Sequence, residues 1–160
     1  MRKRLTPTIA AVALVAGCGA NVATDPDGAS EAAPSAPTSH PTAAPWPAYQ
    51  PDDYTFTLRV TCYCPDAGAP VTVTVADGKV TDAVFARQGW GHPVGAPAPK
   101  WMQVTINDVI DAANDKRADS VTVRWPDGQD YPNSVWVDLD KNMADEERGY
   151  TIRNVELSTA

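Results

Sequence analysis

The clearest order in the chain is a period-two alternation of apolar and polar residues that begins at residue 54. Tyr54, Phe56, Leu58 and Val60 alternate with Thr55, Thr57, Arg59 and Thr61, the pattern of a strand with one face in a core and the other toward water. Val71, Val73 and Val75 alternate with Thr72 and Thr74, and Asp77-Gly78 then supplies a two-residue hairpin turn into Lys79 to Arg87. In a regular ladder Val75 faces Val80 and Val71 faces Val84. That register puts Asp82 on the apolar face opposite Val73, so a bulge or an exposed edge is expected there.

The period changes once. Ile106, Val109, Ile110 and Ala113 follow the i, i+3, i+4, i+7 spacing of one buried helical stripe. Thr105 with Asp108 reads as a capping box at its start, and Lys116 and Arg117 are expected at the negative end of its dipole. Strand patterns then return at Val121 to Trp125, Ser134 to Leu139 and about Gly149 to Leu157, with a Pro126-Asp127-Gly128 turn after the first of them. The order is three strands, one helix, three strands. The expected fold is α+β, an antiparallel sheet of about five to six strands with one helix packed on one face, because that packing buries both the stripe and the alternating strand faces.

The first 48 residues have a different character. Arg2, Lys3 and Arg4 precede an apolar run from Ile9 to Ala16 that is too short to span a bilayer, so residues 1 to 17 read as a secretory signal. The run ends in Leu14-Val15-Ala16-Gly17-Cys18, which resembles the lipobox of bacterial lipoproteins. That resemblance implies that Cys18 is lipidated, becomes the new N-terminus and anchors the protein to the membrane without spanning it. Residues 18 to 48 then form the lipidated Cys and an Ala- and Pro-rich linker. Its composition cannot offset its ordering entropy, so it is expected to be disordered, to reach between roughly 30 and 90 Å, and to add nothing to the stability of the domain at 49 to 160. The expected location is the extracytoplasmic face of the cell membrane.

Charge narrows the partners. Twenty acidic residues against thirteen basic ones give a formal net charge of -7, and no local basic cluster exists to neutralise phosphates, so nucleic acid is not an expected partner. The membrane, through the lipid, and an envelope protein or a small ligand remain.

A set of short pieces carries a family resemblance. Tyr54-Thr55-Phe56, Cys62-Tyr63-Cys64-Pro65, Asp77-Gly78-Lys79-Val80, Tyr131-Pro132, Val137-Asp138 and Asp145-Glu146 occur in this order behind the lipobox. Over about residues 54 to 152 the chain resembles a bacterial family of small exported proteins known as domain of unknown function 6174. The resemblance implies a fold and no activity.

Candidate chemistry starts with the remaining cysteines. Cys62 and Cys64 form an even pair in an oxidising compartment, as a structural disulfide, a redox-active pair, or free thiols or part of a metal site. Residues two apart on a regular strand are too widely spaced for a bond, so the strand must bend or end at Tyr63. Zinc would need these two, His92 and a carboxylate. No nucleophile elbow and no glycine-rich phosphate loop is present, so neither an enzymatic reaction nor a cofactor is indicated. Asp138, Asp140 and Asn142 have the alternating oxygens that begin a calcium loop, but Met143 and Gly149 replace its Gly and Glu. The irregular stretch from Gln88 to Gln103 holds Trp90, His92 and Trp101 as a candidate binding loop. The expected function is a non-enzymatic binding or interaction module, with a thiol-redox or metal-handling protein built on Cys62 and Cys64 as the alternative.

Overall fold

The computed structural model describes residues 45–143 and 145–158. The expected signal at 1 to 17, Cys18 and the linker as far as residue 44 lie outside the described residues. The elements are β1 (Tyr54–Thr61), β2 (Pro70–Ala76), β3 (Lys79–Phe85), a 3-10 turn (Lys100–Met102), α1 (Ile106–Ala113), β4 (Ser120–Arg124), β5 (Ser134–Asp138) and β6 (Arg148–Leu157). All six strands form one antiparallel sheet in the order β3-β2-β1-β6-β5-β4. This is the expected α+β fold, with three strands before the helix and three after.

Alternation decides which face is buried. Tyr54, Phe56, Leu58 and Val60 of β1 pack with Val71, Val73 and Val75 of β2, Val135 and Val137 of β5, and Tyr150 and Ile152 of β6. The helix lays Ile106, Val109, Ile110 and Ala113 on this face, as its stripe requires. Its start is the expected capping box: the Thr105 hydroxyl accepts from the Asp108 amide at 3.0 Å, and the Asp108 carboxylate accepts from the Thr105 amide at 2.7 Å. The Tyr54 hydroxyl accepts from the Ile106 amide at 3.1 Å, tying β1 to the first turn.

Three local expectations are corrected. In the β2–β3 hairpin, Val75 does face Val80, but a bulge follows and Val71 faces Phe85 instead of Val84. The extra residue turns Asp82 outward opposite Thr74 and lets Ala83 and Phe85 point into the core, a register that avoids burying an unpaired carboxylate. Lys116 and Arg117 do not cap the helix. Asn114 ends it, and Arg117 turns to Asp115 through paired bonds of 2.9 and 2.8 Å.

The third correction concerns the domain start, expected at residue 49. Trp46 stacks on Trp125 with ring centroids 5.1 Å apart. The Asn114 side chain accepts from the Trp46 amide at 2.7 Å and donates to its carbonyl at 3.0 Å. Asn107 grips Tyr49 in the same way, at 2.8 and 3.0 Å. Asn107 and Asn114 are seven residues apart, two turns on one side of the helix, so their amides act toward this segment as a neighbouring strand would. The reason the composition argument fails here is one large ring with a partner, in a segment otherwise of small residues.

Replacing Trp46 by Ala in the full chain is expected to cost about 2 kcal/mol, a shift of roughly 1 M in the urea midpoint; an unchanged midpoint would show that the stack is incidental. Tyr49 and Tyr54 give a pH dependence. Burial is the main cause that raises both phenols above their ordinary 10.0. A raised folded-state value means that their contribution is complete below pH 10 and disappears as pH rises through the folded values. Tyrosine ionisation followed by ultraviolet absorbance should therefore coincide with loss of structure above pH 10.

Candidate functional site

Strand β1 ends at Thr61, where the chain turns away from the sheet. Cys62 and Cys64 are joined by a disulfide with Cα atoms 5.3 Å apart, a spacing that requires the bend expected at Tyr63. With both neighbouring side chains committed to the bond, Tyr63 points outward and is 88% exposed. The loop returns through Asp66 and Gly68, both with positive φ, and is closed by the Gly68 amide donating to the Val60 carbonyl at 2.7 Å.

A second loop folds against it. Gly89 and His92 exchange backbone hydrogen bonds, with Trp90 and Gly91 between them at φ of 52° and 81°. For tryptophan this left-handed conformation is unfavourable. It aims the indole at the disulfide loop, where its N–H donates to the Ala67 carbonyl at 3.2 Å. The His92 ring lies parallel to Phe85 with centroids 4.3 Å apart, and its Nε2 is 3.2 Å from Asp66 Oδ1. The result is a corner in which Trp90 and His92 fold onto the loop that carries the exposed Tyr63 and is braced by Cys62–Cys64.

The remaining sequence-predicted residues lie elsewhere. Trp101, on the 3-10 turn, is half-buried against the core. Part of its loop also serves the sheet: Ala96 and Ala98 bond to Phe85 and Ala83, covering the β3 edge. Asp138 closes β5, and the Asp140 carboxylate accepts from both the backbone and the side-chain amide of Asn142 at 2.9 Å. Asn142 thus presents its nitrogen, not its oxygen, to Asp140. Among the described residues no group of three His, Cys, Asp or Glu side chains is arranged to hold a metal ion. Tyr63 and Asp66 are the site residues that sequence reasoning did not single out as functional. The signal for Tyr63 was present in its position between two bonded cysteines, whereas the Asp66–His92 contact joins residues 26 apart and has no local signature.

In this corner the cysteine sulfurs and the histidine already have partners. The disulfide leaves no thiolate at Cys62 or Cys64, and His92 already faces Asp66. Ser120 and Ser134 lie on β4 and β5, in the other half of the sheet from the β3 end that carries this histidine. A cavity of about 220 Å³ lies near the end of α1, lined by Asp115, Val137, Glu146, Arg148 and Tyr150 among others. It is below the roughly 300 Å³ at which small-molecule sites begin. There the Arg117 guanidinium first, and the Arg117 backbone amide second, donate to the Asp115 carboxylate and hold its carboxyl down at about 2.

Fold and site together define a small α+β domain with a disulfide-braced aromatic corner. The chain belongs to the family of unknown function DUF6174, whose profile matches residues 38–157. No curated protein and no solved structure matches the chain.

The loop closed by the disulfide is short, so it removes little unfolded-state entropy. Replacing both Cys62 and Cys64 by Ser should lower stability by roughly 1.5 kcal/mol and leave the far-ultraviolet circular dichroism unchanged. Collapse of the sheet signal in that variant would mean that the bridge organises β1 itself.

Proposed function

We propose that this chain is an exported lipoprotein, anchored by lipid on Cys18 at the extracytoplasmic face of the cell membrane, and that its domain is a non-enzymatic binding module. Its contact surface is the corner of Tyr63, Trp90 and His92. The observation that carries this reading is the exposure of two large aromatics on adjoining loops, 88% for Tyr63 and 46% for Trp90. Both are held out of the core by covalent and backbone constraint, and exposed rings of this kind are what interfaces bury. The lipobox pattern ending at Cys18 supports the anchor, and an envelope protein or a small ligand is the expected partner.

The second reading, a thiol-redox or metal-handling protein, is favoured by the partial exposure of Cys62 and Cys64, which leaves the bond open to thiol attack. One measurement tests the anchor and another separates the two readings. The native chain should enter the detergent phase on phase partitioning and Cys18→Ala should not; equal partitioning of the two would remove the lipid anchor from the proposal. Equilibration with glutathione or dithiothreitol, counting thiols by mass, should place the Cys62–Cys64 potential below about -300 mV, as for a structural bond. A clearly more oxidising pair that cycles with a thiol donor would replace the binding module with redox chemistry.

A further inference from the structure

The face of the sheet opposite α1 is not covered by any described element, and its central rows have a defined chemistry. One row reads Thr61, Gly149, Trp136, Thr122 across β1, β6, β5 and β4, and the next reads Arg59, Thr151, Ser134, Arg124. Residues paired directly across strands share a face, so these eight form a single polar surface with one indole in it.

The indole is laid down on the sheet. A Cβ placed on Gly149 would sit 2.6 Å from Trp136 Cζ3, so the ring occupies the space that any other residue would fill. Only glycine allows this approach. Trp136 nevertheless stays 38% exposed: one side rests on backbone and the other faces water. Thr61, Thr122, Ser134 and Thr151 are its hydroxyl-bearing neighbours on this face.

Charge supplies the second observation. In a chain of net charge -7, this face carries Arg59, Arg124 and Arg153, and none of them is in an ion pair among the described residues, whose two pairs are His92–Asp66 and Arg117–Asp115. Arg153 bonds to the carbonyls of Asn133 and Ile152, and Arg59 reaches the Gly68 carbonyl at 3.4 Å. In these two arginines the guanidinium group meets backbone carbonyls and not a carboxylate. The same face also carries three acids, Asp82, Glu156 and Asp138, outside the two central rows, with Asp138 in the row next to Trp136; within the two rows Arg59 and Arg124 are the charged residues. Arg59 and Arg124 are three strands apart, about 14 Å between backbones, with the indole row beside them.

We propose that this open face binds an anionic glycan, with the apolar face of one sugar ring on Trp136, its hydroxyl groups on the surrounding Thr and Ser side chains, and carboxylates on Arg59 and Arg124. A flat aromatic with hydroxyls at its edge matches a pyranose, which is apolar on its face and polar at its rim. Guanidinium groups match carboxylates through paired hydrogen bonds. The site meets the disulfide loop at Thr61 and Arg59, but Trp136 and Arg124 lie two and three strands away from it, so Trp136→Ala and Arg124→Gln test this face apart from the Tyr63 and Trp90 contact surface.

The test is affinity electrophoresis of the full chain in gels containing polygalacturonate, with a neutral dextran and an oligothymidylate as comparisons. Retardation by polygalacturonate is expected, weakening as salt screens the arginines. Trp136→Ala should lose at least about tenfold in affinity. Arg59→Gln and Arg124→Gln should each lose about fivefold, whereas Lys116→Gln, the same charge change at an exposed position outside these rows, should lose nothing. The arginine positions are exposed, so those variants decide the matter even if Trp136→Ala unfolds. The proposal is overturned by absence of retardation, by equal retardation in dextran, by arginine variants that behave like Lys116→Gln, or by tighter binding of the oligothymidylate, which would make nucleic acid the occupant.

Discussion

Strand β1 has to satisfy two neighbours at once, and the rest of the domain follows from that. It pairs with β2 along one edge and with β6 along the other, so it joins a meander of the first three strands to a meander of the last three. Its four inward side chains, Tyr54, Phe56, Leu58 and Val60, are each at most 1% exposed. At roughly 25 cal/mol per Å² of apolar surface this row is a large share of the driving force. Because both edges of β1 are taken, its outward Thr and Arg side chains are fixed in register with those of β6. The disulfide loop must leave from the end where the pairing stops.

Much of this order is local and therefore readable. Period two marks β1 and β2, a period near 3.6 marks α1, Asp77-Gly78 marks the hairpin, and Thr105 with Asp108 marks a helix start. Asp77 and Gly78 both take positive φ, 52° and 69°, as a two-residue hairpin loop demands. What was not readable depends on partners distant in the chain. Nothing near Trp46 announces Trp125, and nothing near Val60 announces Tyr150. The bulge in the β2–β3 hairpin was legible as a conflict, since Asp82 could not share a face with Val73. Its resolution required knowing that Ala83 and Phe85 would take the core positions.

The candidate corner shows the same division. Cys62 and Cys64 identify themselves by spacing, and Trp90 and His92 by their place in an irregular loop. That Trp90 and His92 join the cysteine loop while Trp101 packs on the core is decided by Phe85, which offers His92 a ring to lie on, and by Asp66, which meets its nitrogen. The disulfide gives this corner a rigid base, the left-handed turn at Trp90 and Gly91 gives it direction, and neither depends on a deep cavity.

The reciprocal grip of Asn107 and Asn114 on Tyr49 and Trp46 has a mechanical side. A pull on the chain before residue 45 does not reach β1 directly. Among the described residues it falls first on the Asn114 amide and the Trp46–Trp125 stack, and only after these yield does it pass to the second amide at Tyr49. The two asparagines stand in series along the direction of load, so the segment would peel in two short steps while the sheet behind it keeps every strand paired. Extension in a force measurement would then begin as a gain of a few residues of slack, leaving the disulfide corner and the open face undisturbed.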